Sequence, residues 1–261
     1  MPRPIAVRRP APEWLVDESF EDRPAGVLKS GKEAEVFLVE RQYPTTTRLL
    51  AHKRFRPRHP GKGELRELGF SKGTIYRADK VYRAGWNLNA RDQRAVDARS
   101  SYGDTVIAHG WPANEFAMLS RAWDAGASVP YPVDMSSDGF LMEFIGGYVD
   151  DAEAAVAAPR LADARPDGAG LLSARRQLLN SVRALTRAQV VHADLSVYNL
   201  LWWEGRLVII DFPQAIDATT NPAGPELLHR DLSNVAAWFE RRGAPIDVEG
   251  VFSELVVELL F

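Results

Sequence analysis

The chain has 261 residues, 46% of them hydrophobic and 26% charged, with a net charge of −3 and no cysteine. That length allows one large domain or two small lobes around a substantial core, in an ordinary soluble globular composition. Disulfides and thiolate metal sites are excluded, and the small negative net charge argues against a protein that coats nucleic acid. No apolar run approaches the roughly 20 residues of a membrane span, and none is expected to meet a membrane. The opening MPRPIAVRRP lacks the apolar core of a secretory signal. The missing cysteines suit the cytoplasm.

Residues 1–24 carry five prolines and scattered charge around Trp14, Leu15 and Phe20. They read as an extended arm pinned by those apolar side chains. Val36 and Leu38 alternate with Phe37 and Val39 in a strand signal, just after the small-residue turn Ser30-Gly31-Lys32-Glu33-Ala34-Glu35. Such a strand–turn–strand can close over phosphates with its backbone N–H groups. It lacks the second Gly and the Lys-Ser/Thr pair of a Walker loop, so a plain hairpin is the other reading. Residues 48–55 predict a further strand holding Lys53 among Leu49, Leu50, Ala51 and Phe55. A lysine there is costly unless paired, and the other reading is an edge lysine facing water.

Residues 56–110 are long, polar and irregular, as in functional or disordered insertions. The basic run 52–62 contains Lys53, Arg54, Arg56, Arg58 and Lys62. It suits RNA phosphates or, equally in kind, a solvated loop. Residues 111–125 predict a helix, with Pro112 in its first turn and Phe116, Leu119 and Trp123 at helical spacing. Glu115 on that turn is the best partner for Lys53. Gly126 stops the helix. Residues 139–145, GFLMEFI, form a short apolar strand before Gly146-Gly147, which suits a joint between two lobes.

Residues 171–189 predict an amphipathic helix through Leu171, Leu172, Leu178, Leu179, Val182 and Leu185. The stretch 190–214, VVHADLSVYNLLWWEGRLVIIDFPQ, follows. Asp194 comes two residues after His192, and Asn199 five residues after Asp194. Residues 200–203 and 207–210 flank the hairpin turn Glu204-Gly205, and Asp211 closes the second run. The hairpin sets Asn199 and Asp211 side by side at its open end. Phosphoryl transfer from ATP needs one carboxylate to orient the attacking hydroxyl, and an amide oxygen and a second carboxylate to hold Mg²⁺. The protein-kinase signature has the same order and offset. His229-Arg230-Asp231 looks like a second copy but has Asn234 only three residues on and no strand-ending Asp after it. It reads as the start of a helix carrying Leu232, Val235, Trp238 and Phe239. Residues 247–260 predict a last helix capped by Asp247.

These strings resemble the RIO family of atypical kinases and ATPases. They are SGKEAEV (30–36), His52-Lys53, LMEFIG (141–146), VHADLSVYNLL (191–201), IIDFPQ (209–214) and RDLSNVAAWF (230–239). SGKEAEV and RDLSNV look like the RIO1 branch. IIDFPQ is nearer RIO2, and Val197 stands where LSEYN has Glu. The short arm leaves no room for the RIO2 winged-helix domain. The resemblance implies an α+β, two-lobed kinase-like fold without an activation segment or peptide-docking subdomains. Its lobes would be a β-rich one over 25–145, with 56–110 as a flexible insert, and a mainly helical one over 146–261.

The resemblance further implies that Ser30, Gly31, Lys32, Glu33 and Val36 cover the nucleotide and that Lys53, paired with Glu115, binds the α/β-phosphates. Met142, Glu143 and Ile145 would form the adenine hinge. Asp194 would be the catalytic carboxylate. Asn199 and Asp211 would be the ligands of Mg²⁺ or Mn²⁺, with Asp211 also able to accept phosphate. The implied activity is Ser/Thr kinase, on itself or another protein, and ATPase. The alternative is a nucleotide-gated factor that binds RNA or the ribosome through the basic run.

Overall fold

A computed structural model describes residues 9–31, 34–55, 91, 94–95, 98, 100–149 and 155–260; of residues 101–109 and 260 it describes the backbone only. The first half builds one antiparallel sheet from β1 (Glu21–Ser30), β2 (Ala34–Gln42), β3 (Thr47–Phe55), β4 (Pro132–Met135) and β5 (Gly139–Glu143), in the order β1-β2-β3-β5-β4. β3 is central and covered on both faces, burying Leu50 on one and Ala51 and Lys53 on the other. β1 is an edge, almost wholly exposed, with register shifts at Pro24/Gly26 and Val27/Lys29. Proline and bulges are how an edge strand avoids pairing with another chain.

Helix α1 (Ser101–Asp124) packs against this sheet. It begins well before the expected start at residue 111, so Pro112 lies inside the helix rather than in its first turn. The preceding SYGDTVIAHG has polar, β-branched and glycine residues without a helical apolar period, a weak helix propensity that gives no sequence signal for this first part of the helix. The helix ends as expected. Gly126 has φ +86, its N–H donates to the Trp123 carbonyl at 2.9 Å, and the Ala127 N–H reaches back to Ala122 at 3.1 Å.

The second half is mainly helical. It holds β6 (Gly146–Gly147), β7 (Val156–Ala157), the short α2 (Leu161–Ala164) and α3 (Gly168–Arg187). Next come β8 (Val190–Val191), a 3-10 turn over Val197–Asn199, β9 (Leu200–Trp203), β10 (Arg206–Ile209) and β11 (Ile216–Asp217). α4 (Gly224–Glu240) and α5 (Val248–Leu260) close the chain. In α3, Leu171, Ala174, Leu178, Val182 and Leu185 face the core, and Asp167 caps the helix by accepting from the Gly170 N–H at 2.7 Å. Leu200, Leu207, Ile209, Phe212, Leu232 and Phe239 complete the same core. α4 starts at Gly224, seven residues before the expected Asp231, with a proline in its first turn. Asp247 accepts from the Gly250 N–H at 3.0 Å, the cap expected for α5. A β-rich first part and a helical second part match the expected two-lobed kinase-like class. Among the described residues no helix is long and apolar enough to cross a membrane.

Gly139 fixes how closely β5 approaches β3. A Cβ there would sit 1.9 Å from the Lys53 carbonyl oxygen, and backbone cannot move aside. Gly139→Ala is therefore expected to lower the thermal midpoint by at least about 5 °C, since overpacking costs about 1–3 kcal/mol where side chains can yield. A thermal melt unchanged from wild type would contradict this reading.

Candidate active site

Lys53 leaves β3 toward α1 with its side chain only 10% exposed. Its Nζ lies 2.6 Å from Glu115 Oε1 on α1 and 2.7 Å from Asp211 Oδ1 after β10. The lysine thus joins the sheet, the helix and the hairpin of the second half. Burial works to depress its pKa, but Asp211 and Glu115 outweigh burial and hold it above the ordinary value. The Asp211 carboxyl is pulled down to about 2 by Lys53, against its own desolvation. Glu115 goes the other way. Burial pushes it up to about 6, opposed by Lys53 and reinforced by Asp211. Its Oε1 also accepts the Phe212 N–H at 3.2 Å, while Oε2 is buried with no hydrogen-bond partner among the described residues.

Arg121, near the C-terminal end of the same helix, pairs with Asp217 at 2.7 Å and donates to the Ala188 carbonyl at 2.7 Å. It anchors α1, and with it Glu115, to the second half.

Asp194 sits on a loop held from below. The Asp231 carboxylate in mid-α4 accepts the backbone N–H groups of Ala193 at 2.7 Å and Leu195 at 3.1 Å, either side of Asp194. Arg230 donates to the Ala193 carbonyl. Ala193 takes φ 61, a left-handed conformation that a non-glycine residue holds only where its surroundings enforce it. His192 is buried; its Nδ1 faces the Asp194 N–H at 3.3 Å and its Nε2 faces the Ile210 carbonyl at 3.1 Å. Those partners suit a ring that accepts at Nδ1 and donates at Nε2. The Asp194 side chain is left exposed in the cleft.

The hairpin works as expected. Leu200 faces Ile209, and the Ile210 N–H donates to the Asn199 carbonyl at 3.0 Å. Glu204 and Gly205 turn the chain with φ 47 and 78. Asn199 Nδ2 donates to the Asp194 carbonyl at 2.9 Å and to Asp194 Oδ2 at 3.3 Å, so its amide oxygen faces elsewhere. Asp211 follows with φ 71, like Ala193 a non-glycine residue in the left-handed region. Lys53, Glu115 and Asp211 therefore form one side-chain cluster and Asp194 and Asn199 another, and the hairpin backbone at Asn199 and Ile210 links them.

Asn199 Oδ1 and the Asp211 carboxylate are hard oxygen donors, which fit a divalent cation completed by phosphate and water. Among the described residues no group of three or more His, Cys, Asp or Glu could hold a metal alone.

The remaining sequence candidates surround these clusters. Ser30 Oγ donates to Glu35 Oε1 at 3.0 Å, and the Gly31 N–H closes the turn onto the Ala34 carbonyl at 3.0 Å. Lys32 and Glu33 lie outside the described residues. Val36 and Met142 pack against a small cluster of Leu38, Ala51 and Phe144. Glu143 Oε1 takes Arg206 at 2.8 Å and Oε2 takes the Tyr131 N–H at 3.0 Å, bolting the strand end to both halves. The Ile145 carbonyl accepts the Ala158 N–H at 2.9 Å.

In the basic run, His52 lies 2.9 Å from Ser136 Oγ and Arg54 pairs with Asp138 at 2.5 Å. Arg56, Arg58 and Lys62 lie outside the described residues, as do residues 56–90 of the expected insert.

Residues 74–251 match the RIO domain family, more than half of the chain. The chain belongs to the RIO-domain family. Lys53 and the turn at Ser30-Gly31 precede the matched range. The chain is 38% identical over 146 residues to the RIO-type serine/threonine-protein kinase Rio1 of Haloferax volcanii, covering 56% of this chain and 47% of that protein. Against the Rio1 kinase of Thermoplasma acidophilum it is 29% identical over 160 residues, covering 61% and 78%. Against human serine/threonine-protein kinase RIO3 it is 33% identical over 153 residues, covering 58% and 28%. The chain spans about half the length of the Haloferax relative and under a third of the human one. The Rio1 relatives agree with the branch that SGKEAEV suggests.

Sequence reasoning treated Arg230 and Asp231 as a helix start and overlooked them as a brace. Their identity was legible, but their use depends on a contact 36 to 38 residues away. Asp231→Ala strands two buried N–H groups, each costing about 1–3 kcal/mol. It is expected to lower the thermal midpoint and the turnover rate together, with nucleotide affinity little changed. Full turnover in the folded variant would show that Asp231 does not position the loop.

Proposed function

We propose that this RIO-domain protein is a cytoplasmic, Mg²⁺-ATP-dependent phosphotransferase and ATPase that transfers phosphate to serine or threonine, on itself or a protein substrate. The observation that carries the proposal is the contact of Lys53 with both Glu115 and Asp211, beside a hairpin that pairs Asp194 with Asn199. Lys53 binds the α/β-phosphates once Asp211 turns to the metal, and Glu115 keeps the lysine aimed. Asn199 and Asp211 hold Mg²⁺, which neutralises charge on the phosphates. Asp194 orients the attacking hydroxyl. Met142, Glu143 and Ile145 line the adenine end, and Ser30, Gly31 and Val36 cover the phosphates.

The ATPase route runs through Asp211. A carboxylate oxygen attacks the γ-phosphorus, the bond to the ADP oxygen breaks, and ADP leaves. Water then hydrolyses the aspartyl-phosphate to return the carboxylate and inorganic phosphate. Only about twenty residues separate Asp211 from Asp231, which leaves little platform for a peptide. Mg²⁺-ATP turnover without added substrate is therefore expected to exceed phosphorylation of generic peptides. Part of the phosphate retained on the protein should be labile to hydroxylamine and absent from Asp211→Asn. Acid-stable phosphoserine as the sole product, with rapid peptide phosphorylation and no ATPase background, would restore an ordinary protein kinase.

The reading as a nucleotide-gated RNA or ribosome factor depends on the basic run. Lys53 is buried in its ion pairs and His52 is held against Ser136, which favours the enzyme; Arg54 is exposed in its pair with Asp138. Salt-dependent RNA binding abolished by neutralising Arg56 and Arg58 would favour the factor.

A further inference from the structure

The outer face of α3 departs from the amphipathic rule. On a surface helix the face turned from the core is expected to be polar. Leu172, Arg176, Leu179 and Arg183 instead follow one another at helical spacing along a single outer stripe. Leu172 is 50% exposed, and Arg176 is exposed without an ion pair among the described residues. This stripe forms one wall of a groove of about 500 Å³, and Ile246 and Val251 at the start of α5 form the other.

The charge of the groove is one-sided. Three arginines line it, Arg175, Arg176 and Arg183, against one carboxylate, Asp247. Asp247 spends its Oδ1 on the Gly250 N–H at the start of α5. Arg175 donates to the Pro245 carbonyl at 2.7 Å and has no ion pair among the described residues. Arg183 meets Glu254 at 3.2 Å in an ion pair whose glutamate is 68% exposed to solvent, where such pairs are weak. None of the active-site residues lines this groove.

We propose that the groove between α3 and α5 docks an acidic peptide segment of a partner protein, with an aliphatic side chain seated beside Leu172 and Leu179 and its carboxylates on Arg176 and Arg183. The aliphatic floor decides between anionic occupants. A nucleic-acid strand gains its sequence-tolerant affinity by stacking bases on aromatic rings, and no aromatic side chain lines the groove. An amphipathic segment in a groove between helices gains affinity from aliphatic anchors and flanking charge.

The test uses the full chain and a short fluorescein-labelled peptide of glutamates with leucines at helical spacing. Comparison probes are the same peptide with Lys for Glu, the same with Ser for Leu, and labelled oligouridylate. The acidic leucine peptide is expected to bind with an affinity that falls as salt rises. Arg176→Glu and Leu172→Ser should each weaken it at least about tenfold, close to 1.4 kcal/mol. Both side chains are exposed, so thermal midpoint and nucleotide affinity should match wild type. Arg176→Gln serves if the charge reversal does not fold. No binding, tighter binding of oligouridylate, or loss with Arg176→Glu but not Leu172→Ser would overturn the proposal. The last result would mean a charge contact without an anchor.

Discussion

Replacing Asp194 with Asn is expected to leave Mg²⁺-ATP bound and to slow phosphoryl transfer by about 10²–10⁴-fold, the usual contribution of a general base or orienting carboxylate. The side chain carries little structural duty. It is exposed, and its recorded side-chain contact is the Asn199 amide at 3.3 Å. The backbone around it is fixed independently, through Asp231 and Arg230 from α4 and His192 from the loop itself. Asn therefore keeps the shape of the site and removes the charge. Lys53, Glu115 and Asp211 do not depend on it, so nucleotide affinity should stay close to wild type. Single-turnover kinetics with pre-bound nucleotide separate the two effects. Loss of nucleotide binding with no chemical defect would remove Asp194 from the catalytic role and make it a binding residue.

Much of this site was legible because its parts lie on local patterns. The Asp194–Asn199 offset and the hairpin through Glu204-Gly205 are short-range, and hairpin register fixes Asp211 beside Asn199 once the turn is recognised. Lys53 and Glu115, 62 residues apart, were joined by an energetic argument instead, because a lysine in an apolar strand demands a carboxylate. What escaped were features that leave no local pattern. The first ten residues of α1 have no helical apolar period and form a helix nonetheless. Asp231 is chemically the same in a cap as in a brace, and only the fold brings it to Ala193 and Leu195. Leu172 looked like a core residue because the sequence offers more leucines on α3 than the core accepts.

Lys53→Met should abolish measurable nucleotide turnover and also reveal how much the lysine stabilises the fold. The substitution keeps the length and apolar stem of the side chain, so no large cavity opens. It leaves Glu115, 2% exposed, and Asp211 facing each other without the cation between them. Removing one partner of a buried ion pair costs about 3–5 kcal/mol, because the remaining charge is uncompensated. The cost should depend on pH. Burial already holds Glu115 up at about 6 in the wild-type protein, against the opposing pull of Lys53. Without that pull its folded pKa rises further above the unfolded value. A carboxyl raised on folding contributes stability that is complete below its unfolded pKa and is lost as pH rises through the folded one. The deficit of Lys53→Met relative to wild type should therefore already be present at pH 5, where the Asp211 contribution is lost, and grow further toward pH 8 as Glu115 ionises. Asp211, lowered to about 2 by the lysine, acts with the same sign. In wild type its contribution is present above the unfolded carboxyl range and lost as pH falls through about 2, so removing Lys53 costs most where both carboxyls are ionised. Urea denaturation of both proteins across that range measures the gap, and calorimetry with Mg²⁺-ATP measures the lost binding. A deficit constant from pH 5 to 8 would mean that Glu115 does not bear the uncompensated charge. Wild-type nucleotide affinity in the folded variant would remove Lys53 from the phosphate site.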